Sequence, residues 1–425
     1  MAIDRTLMRN ICWLFSLQGL NYLIPLAVMP FLVRMLGIEK YGLVAFAQSF
    51  AQYFVILTDY GFNLSATKRV AMIRNDRERV SNLFWCVILL KALLMLVGIV
   101  ILAVLVTAVP RFRLEPLLYA AAYLAVIGTV LFPMWLFQGM EQMKYISIVS
   151  GGAKLASALT LFIVVRHSSD YVLALAILSG GTFGAGLVGF IVAVRTFAII
   201  PRLPARDDIK ETLHNGWHLF VSTAATSFYT NSNLFLVGVI VGNVQAGYFS
   251  AAEKIIRGMQ AMLVPITQAI YPHVNNLMGR SRELALTFLR KGFIWISALS
   301  FLPSILLLFC AAPVAHFVVG PAGEPCIPLF RWMAMLPFII AISNVLGIQT
   351  MIPFGLEREL SRIYVVAGFG SLPLSIVLIR QYGAVGAAVS VLMVELAIIF
   401  CMWAALRQRG LNLLYFGTVS ASSTT

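Results

Sequence analysis

The chain has 425 residues, of which 60% are hydrophobic and 11% charged, with 31 Lys and Arg against 17 Asp and Glu. An ordinary soluble domain carries roughly 25% charged residues. So few charges cannot cover a soluble surface, which excludes a cytosolic enzyme, a nucleic-acid-binding domain and a disordered chain. The apolar residues must face lipid, and the net charge of +14 has to be read by position before it is read as a nucleic-acid footprint.

A helix that crosses a bilayer needs ~20 mostly apolar residues, because its backbone hydrogen bonds must all close inside the segment. Twelve stretches meet that requirement: 11–36, 41–62, 81–106, 114–137, 145–165, 171–194, 217–241, 248–272, 292–319, 329–352, 363–379 and 384–406. The basic start has no A-x-A-like cleavage site after a short apolar region, so it reads as the lead-in to a retained first helix. Pro25 and Pro30 interrupt that span. A membrane proline frees a carbonyl and permits bending, which makes the helix a candidate hinge or a static kink. The second span sets Gln48, Gln52 and Asp59 on one face by steps of four and seven. Lys91 falls near the middle of the third span and Lys154 near the middle of the fifth.

The polar segment 201–216, with Pro201 and Pro204, reads as a cytoplasmic linker between two six-span bundles, residues 1–200 and 217–425. The seventh span carries Thr223, Thr226, Ser227, Thr230, Asn231 and Asn233, hydroxyls and amides suited to a sugar or to packing between helices. Glu253, Lys254 and Arg257 follow in the eighth span, and Glu395 lies in the middle of the twelfth.

Loop charges orient the bundles. The loops on the side of both termini hold 20 Lys and Arg against 6 on the other side, and basic loops stay in the cytoplasm. Both termini are therefore expected there. The halves also match at one gapless offset of 205 residues: Gly37 and Gly42 pair with Gly242 and Gly247, and Arg77-Glu78 with Arg282-Glu283. Six spans per half is an even number, so both halves run the same way through the membrane, a parallel repeat as in rocking transporters. The expected fold is an all-α membrane protein of about twelve transmembrane helices, in two six-helix bundles around a central cavity.

An ionisable group at mid-bilayer costs about 3 kcal/mol on insertion scales, so it normally faces a cavity or a partner. Lys91, Lys154, Lys254 and Arg257 outnumber Glu253 and Glu395, which predicts a net-cationic cavity suited to an anion such as phosphate. Gln48, Gln52, Asn231 and Asn233 would line it, with Glu395, Asp59 and Glu253 available for coupling to an ion gradient. Plainer readings stand beside these. Asp59 and Arg331 are near enough to span ends to snorkel, and Glu253 with Arg257, four apart with the acid first, make a structural pair. No GxxxxGK[ST], HExxH, GxSxG or His/Cys cluster occurs, and the five cysteines are scattered. No catalysis, cofactor or metal is expected.

The stretch NYLIPLAVMPFLVRMLGIEKYGLVAFAQSFAQYFVILTDYGFNLSATKRVA (21–71) resembles the N-terminal signature of Wzx-type O-antigen and polysaccharide flippases. These belong to the multidrug/oligosaccharidyl-lipid/polysaccharide (MOP) exporter superfamily. GYFSAAEKIIRGMQAMLVPITQAIYP (247–272) is similar to the matching block of the second half. The resemblance implies a bacterial inner-membrane protein that passes an undecaprenyl-pyrophosphate-linked oligosaccharide from the cytoplasmic to the periplasmic leaflet by alternating access. It maps the second-half block onto Glu253, Lys254 and Arg257. Membrane lipid, a polysaccharide polymerase and a chain-length regulator are the further expected partners, and nucleic acid is not. The rival readings are a multidrug or small-molecule antiporter of the same superfamily, a lipid II flippase, and a non-transporting assembly scaffold.

Overall fold

The computed structural model describes residues 5–411, and among them there is no strand. The first half of the chain forms α1 (Arg5–Asp59), α2 (Phe62–Ile73), α3 (Arg77–Ala108), α4 (Pro110–Arg113), α5 (Pro116–Leu131), α6 (Met134–Gly139), α7 (Met143–Val164) and α8 (Tyr171–Thr196). The second half forms α9 (Arg206–Ile240), α10 (Asn243–Ala261), α11 (Val264–Met278), α12 (Arg282–Phe309), α13 (Ala311–Val319), α14 (Ile327–Met333), α15 (Leu336–Asn344), a π-helical stretch (Val345–Met351) and α16 (Glu357–Gln408).

Among the described residues, eight helical stretches are long and apolar enough to cross a membrane. Two of them correspond to pairs of expected spans. A straight helix of 52 residues would run about 78 Å, more than twice the thickness of the hydrocarbon core. Both long helices are interrupted instead: α1 at Gly37 (φ 75°) and α16 at Gly383 (φ 62°). Only glycine enters that left-handed region without a Cβ penalty. Each expected inter-span loop thus shrinks to a glycine break.

Other boundaries also move. The fourth expected span breaks at Phe132 and Pro133, between α5 and α6, where proline supplies no N–H to continue the ladder. The ninth, expected over 292–319, begins at Arg282 and ends at Phe309. Its polar first turns are helical because they are amphipathic, with Ala285 and Leu289 buried. The expected linker is extended only to Ala205; α9 begins at Arg206, with Asp207 and Asp208 in its first turn, where acids complement the helix dipole. Ile209 and Leu213 pack this segment onto the first half. Pro25 and Pro30 lie inside α1, whose backbone leaves helical geometry only at Gly37.

At the Gly37 end the two halves share one core. Phe46 stacks on Phe235 (5.4 Å between centroids), and the same cluster includes Tyr119, Phe249 and Phe330. At the opposite end each half keeps its own core, around Phe84 and Trp135 in the first and around Met351 and Met402 in the second. The closest inter-half approach joins α1 to α10. A Cβ on Gly42 would collide with the Asn243 carbonyl, and one on Gly247 with the Ile38 carbonyl. These contacts are reciprocal under the 205-residue offset, since 38 corresponds to 243 and 42 to 247. The helices α3 and α12 likewise both begin at the paired Arg-Glu dipeptide.

Candidate functional site

Side by side, α1 and α10 form a wall between two cavities. Successive residues on a helix point about 100° apart, so neighbours on these helices serve different sides. Asn21 faces the first-half cavity and Tyr22 the second-half one; Lys254 faces the first and Glu253 the second.

The first-half cavity, of about 460 Å³, holds Lys154 and Lys254 and is lined by no carboxylate among the described residues. The Lys154 ammonium donates to Oδ1 of Asn21. The Lys254 Nζ sits 5.1 Å from the centroid of the Tyr41 ring, and the Tyr41 hydroxyl is 3.3 Å from Ser250 Oγ. Gln48 and Pro25 also line this space. Gln48 reaches a smaller adjoining pocket as well, and Gln52 is found there.

The second-half cavity, of about 390 Å³, holds Glu253, Arg257, Asn233 and Glu395. Arg257 donates from Nη2 (2.8 Å) and Nε (3.2 Å) to Oε1 of Glu253. Its Nη2 also reaches the Thr230 carbonyl at 3.1 Å and Asn231 Oδ1 at 3.3 Å. Asn233 Oδ1 accepts from Ser375 (2.9 Å), which is 2.7 Å from Ser390, so three membrane segments meet at one buried amide. Glu395 is 8% exposed. Asn344, at the end of α15 where the π-helical stretch begins, has a buried Oδ1 with no hydrogen-bond partner among the described residues. π-Helical segments often mark functional positions. In this one Gln349 donates to the Thr267 carbonyl at 2.8 Å.

The single net-cationic cavity expected from the sequence is therefore two spaces of different charge. Lys91 lines neither: it is 3% exposed and lies 3.3 Å from Asp59. Its ammonium pairs with the Asp59 carboxylate, so the two charges are taken out of lipid together. Asp59 is accordingly a partner of Lys91 rather than part of a cavity wall. Pro30 lines neither cavity, and Arg331 is exposed. The Thr226 side chain lies outside the described residues. Sequence reasoning missed Asn21, Tyr22, Tyr41 and Asn344. Asn21 and Asn344 were visible as amides within apolar spans, whereas nothing in the spacing marked the two tyrosines. No group of three or more His, Cys, Asp or Glu able to hold a metal ion occurs among the described residues.

Comparison with known proteins adds to this geometry. The family model described as polysaccharide biosynthesis protein matches residues 7–278. A protein of Escherichia coli (strain K12) named as an O-antigen transporter is 33% identical over 390 residues, covering 92% of this chain and 94% of its own. One of Shigella dysenteriae with the same name is 31% identical over 403 residues, covering 94% and 100%. Among solved structures, an inward-facing multidrug resistance MATE family transporter of the MOP superfamily matches with a TM-score of 0.68 at 14% identity. That match covers 93% of this chain and 95% of the other. The lipid II flippase MurJ in an inward closed conformation matches at 0.66 and 10% identity, covering 93% and 87%. At such identities these two structures speak for the fold alone.

Proposed function

The chain belongs to the polysaccharide biosynthesis protein family, and from that premise we propose that it is a flippase for an undecaprenyl-pyrophosphate-linked oligosaccharide. It moves the saccharide from the cytoplasmic to the periplasmic leaflet of the bacterial inner membrane by alternating access, and it performs no catalysis. The observation that carries this reading is the pair of charged cavities enclosed between apolar helices and separated by one wall. Charge placed within membrane-spanning segments is expensive and is normally retained for a pathway. The names of the relatives point to the same class of cargo.

The twelve-span, two-bundle layout belongs to the proposal, with residues 1–200 and 217–425 as its bundles and both termini cytoplasmic. In that orientation the Gly37 end, where the halves share a core, is periplasmic. The end with separate cores opens to the cytoplasm, where the cargo is loaded. The glycan and pyrophosphate pass between the halves while the polyprenyl tail stays in the lipid. Glu395, which lines the second-half cavity with Arg257, is the carboxylate we assign to ion coupling; Asp59 is already engaged by Lys91. A polysaccharide polymerase and a chain-length regulator act next on the exported unit.

Deletion of the gene tests this. Lipid-linked repeat units should accumulate on the cytoplasmic face and surface polysaccharide should fall; units found on the periplasmic face at normal levels would reject the flippase. One observation favours a rival: the two carboxylates of the second-half cavity suit an organic cation, as an antiporter would require. Unchanged resistance to cationic drugs in the deletion strain would set that reading aside.

A further inference from the structure

The two cavities differ in chemistry more than in size. The first sets aliphatic walls and polar groups (Asn21, Tyr41, Gln48) around Lys154 and Lys254, its only charged lining residues among those described. The second brings together carboxylates, a guanidinium, three amides (Asn233, Gln260 and Asn344) and the hydroxyls of Tyr22 and Thr230. Resting on the flippase reading, we propose that the cargo is divided between them: the first-half cavity takes the pyrophosphate, the second-half cavity takes the sugars.

Charge balance supports the first assignment. Lys154 donates to a neutral amide and Lys254 lies over a neutral ring. Neither contact cancels a full positive charge, and in a low-dielectric space two such ammoniums attract an anion strongly. Lysine binds phosphate as a compact point charge with three donors.

The second cavity differs in its charge, with two carboxylates against one guanidinium. Arg257 is already held by Glu253 through two short bonds, so an entering phosphate would have to displace a carboxylate and approach Glu395. Sugar hydroxyls donate and accept at once, and amides and carboxylates match them. The unpartnered Oδ1 of Asn344 is a buried acceptor that a hydroxyl would satisfy. The wall of α1 and α10 then lies beneath the bond that joins sugar to phosphate, and Asn21-Tyr22 and Glu253-Lys254 each send one side chain to either part.

The test uses the full chain in nanodiscs of zwitterionic phosphatidylcholine, with undecaprenyl pyrophosphate bearing no sugar as the probe. The wild type should bind it; no binding at all would overturn the flippase reading itself. Lys154→Gln and Lys254→Gln should each weaken binding at least tenfold and the double variant abolish it, while Lys154→Arg and Lys254→Arg retain it within threefold. Arg257→Gln and Asn344→Ala should bind the probe within twofold of wild type. Equal binding by the lysine variants, or a loss in Arg257→Gln as large as theirs, would overturn the division while leaving the flippase reading intact. Phosphatidylglycerol added as competitor should not displace the probe. Displacement at equal concentration would make the site a general anionic-lipid site and reject the assignment. Where a glutamine variant's thermal unfolding departs from wild type, Lys154→Met or Lys254→Met takes its place with the same expected loss, so that folding and binding losses stay apart.

Discussion

The two ends of the molecule are held together in different ways. At the Gly37 end α1 and α10 touch backbone to backbone, and aromatic rings of both halves interleave in one core. Two arginines cross the joint there. Arg111 donates to the Val239 carbonyl (3.2 Å) and to Asn243 Oδ1 (2.9 Å), and Arg34 to the Phe317 carbonyl (2.7 Å). At the Tyr60 end the halves keep separate cores, and the contacts that bridge them come from the start of α9. Tyr60 stacks on Phe220 at 4.8 Å, Arg69 pairs with Glu211 at 3.2 Å, and Asn82 donates to Asp208 at 2.8 Å. The difference has a mechanical meaning. Separating the Gly37 end would expose a core, whereas among the described residues separating the Tyr60 end breaks side-chain contacts along one helix.

Substitutions can break this contrast, beginning with the largest effect. Gly42→Leu places a side chain against backbone that has no rotamer to change; overpacking of this kind costs about 1–3 kcal/mol or more. The Gly37 end should fail to shut, and transport should be lost. A cysteine at Gln48, in a cysteine-free background, should then be labelled several-fold faster by an impermeant thiol reagent from outside, and unchanged labelling would reject the seal. Lys91→Met strands Asp59 at the other end. Because Asp59 is 19% exposed, the loss should stay near or below about 3 kcal/mol, and adding Asp59→Asn should restore most of the thermal stability. Arg111→Ala leaves Val239 O and Asn243 Oδ1 without their donor, at about 1–3 kcal/mol. It should speed the same labelling less than Gly42→Leu does. Smallest is Tyr60→Ala, which removes one stacked pair worth about 1 kcal/mol. Its effect should appear as altered access from the Tyr60 side with little change in unfolding temperature.

Most of the helices were legible because lipid leaves little choice: a spanning segment must be largely apolar and closed in its hydrogen bonds. The expected spans 217–241 and 248–272 have no counterpart among the eight long apolar stretches of the described residues. The Glu253–Arg257 pair was also legible, since a spacing of four sets two side chains only about 40° apart on a helix. The same arithmetic hid the division of the site. Glu253 and Lys254 are adjacent in sequence yet face different cavities, and a residue count that pools them returns one cavity of summed charge. The partner of Lys91 was hidden for another reason. With apolar residues around its whole circumference, α3 has no polar stripe to show which way the lysine points, and Asp59 lies 32 residues away on a separate helix.

The reciprocal contacts of Gly42 and Gly247 also order events during biosynthesis. The surface around Ile38 and Gly42 leaves the ribosome 205 residues before the turn that covers it, an interval of roughly 10–40 s at ordinary elongation rates. Throughout that time the first half sits in the membrane with its docking face uncovered. Because the faces of the two halves mirror one another, an early half can also be met by the late half of a neighbouring chain, a swapped pairing. The short, tightly helical passage from Arg206 into α9, already packed on the first half through Ile209 and Leu213, keeps the correct late half nearest and makes the intramolecular docking the faster one.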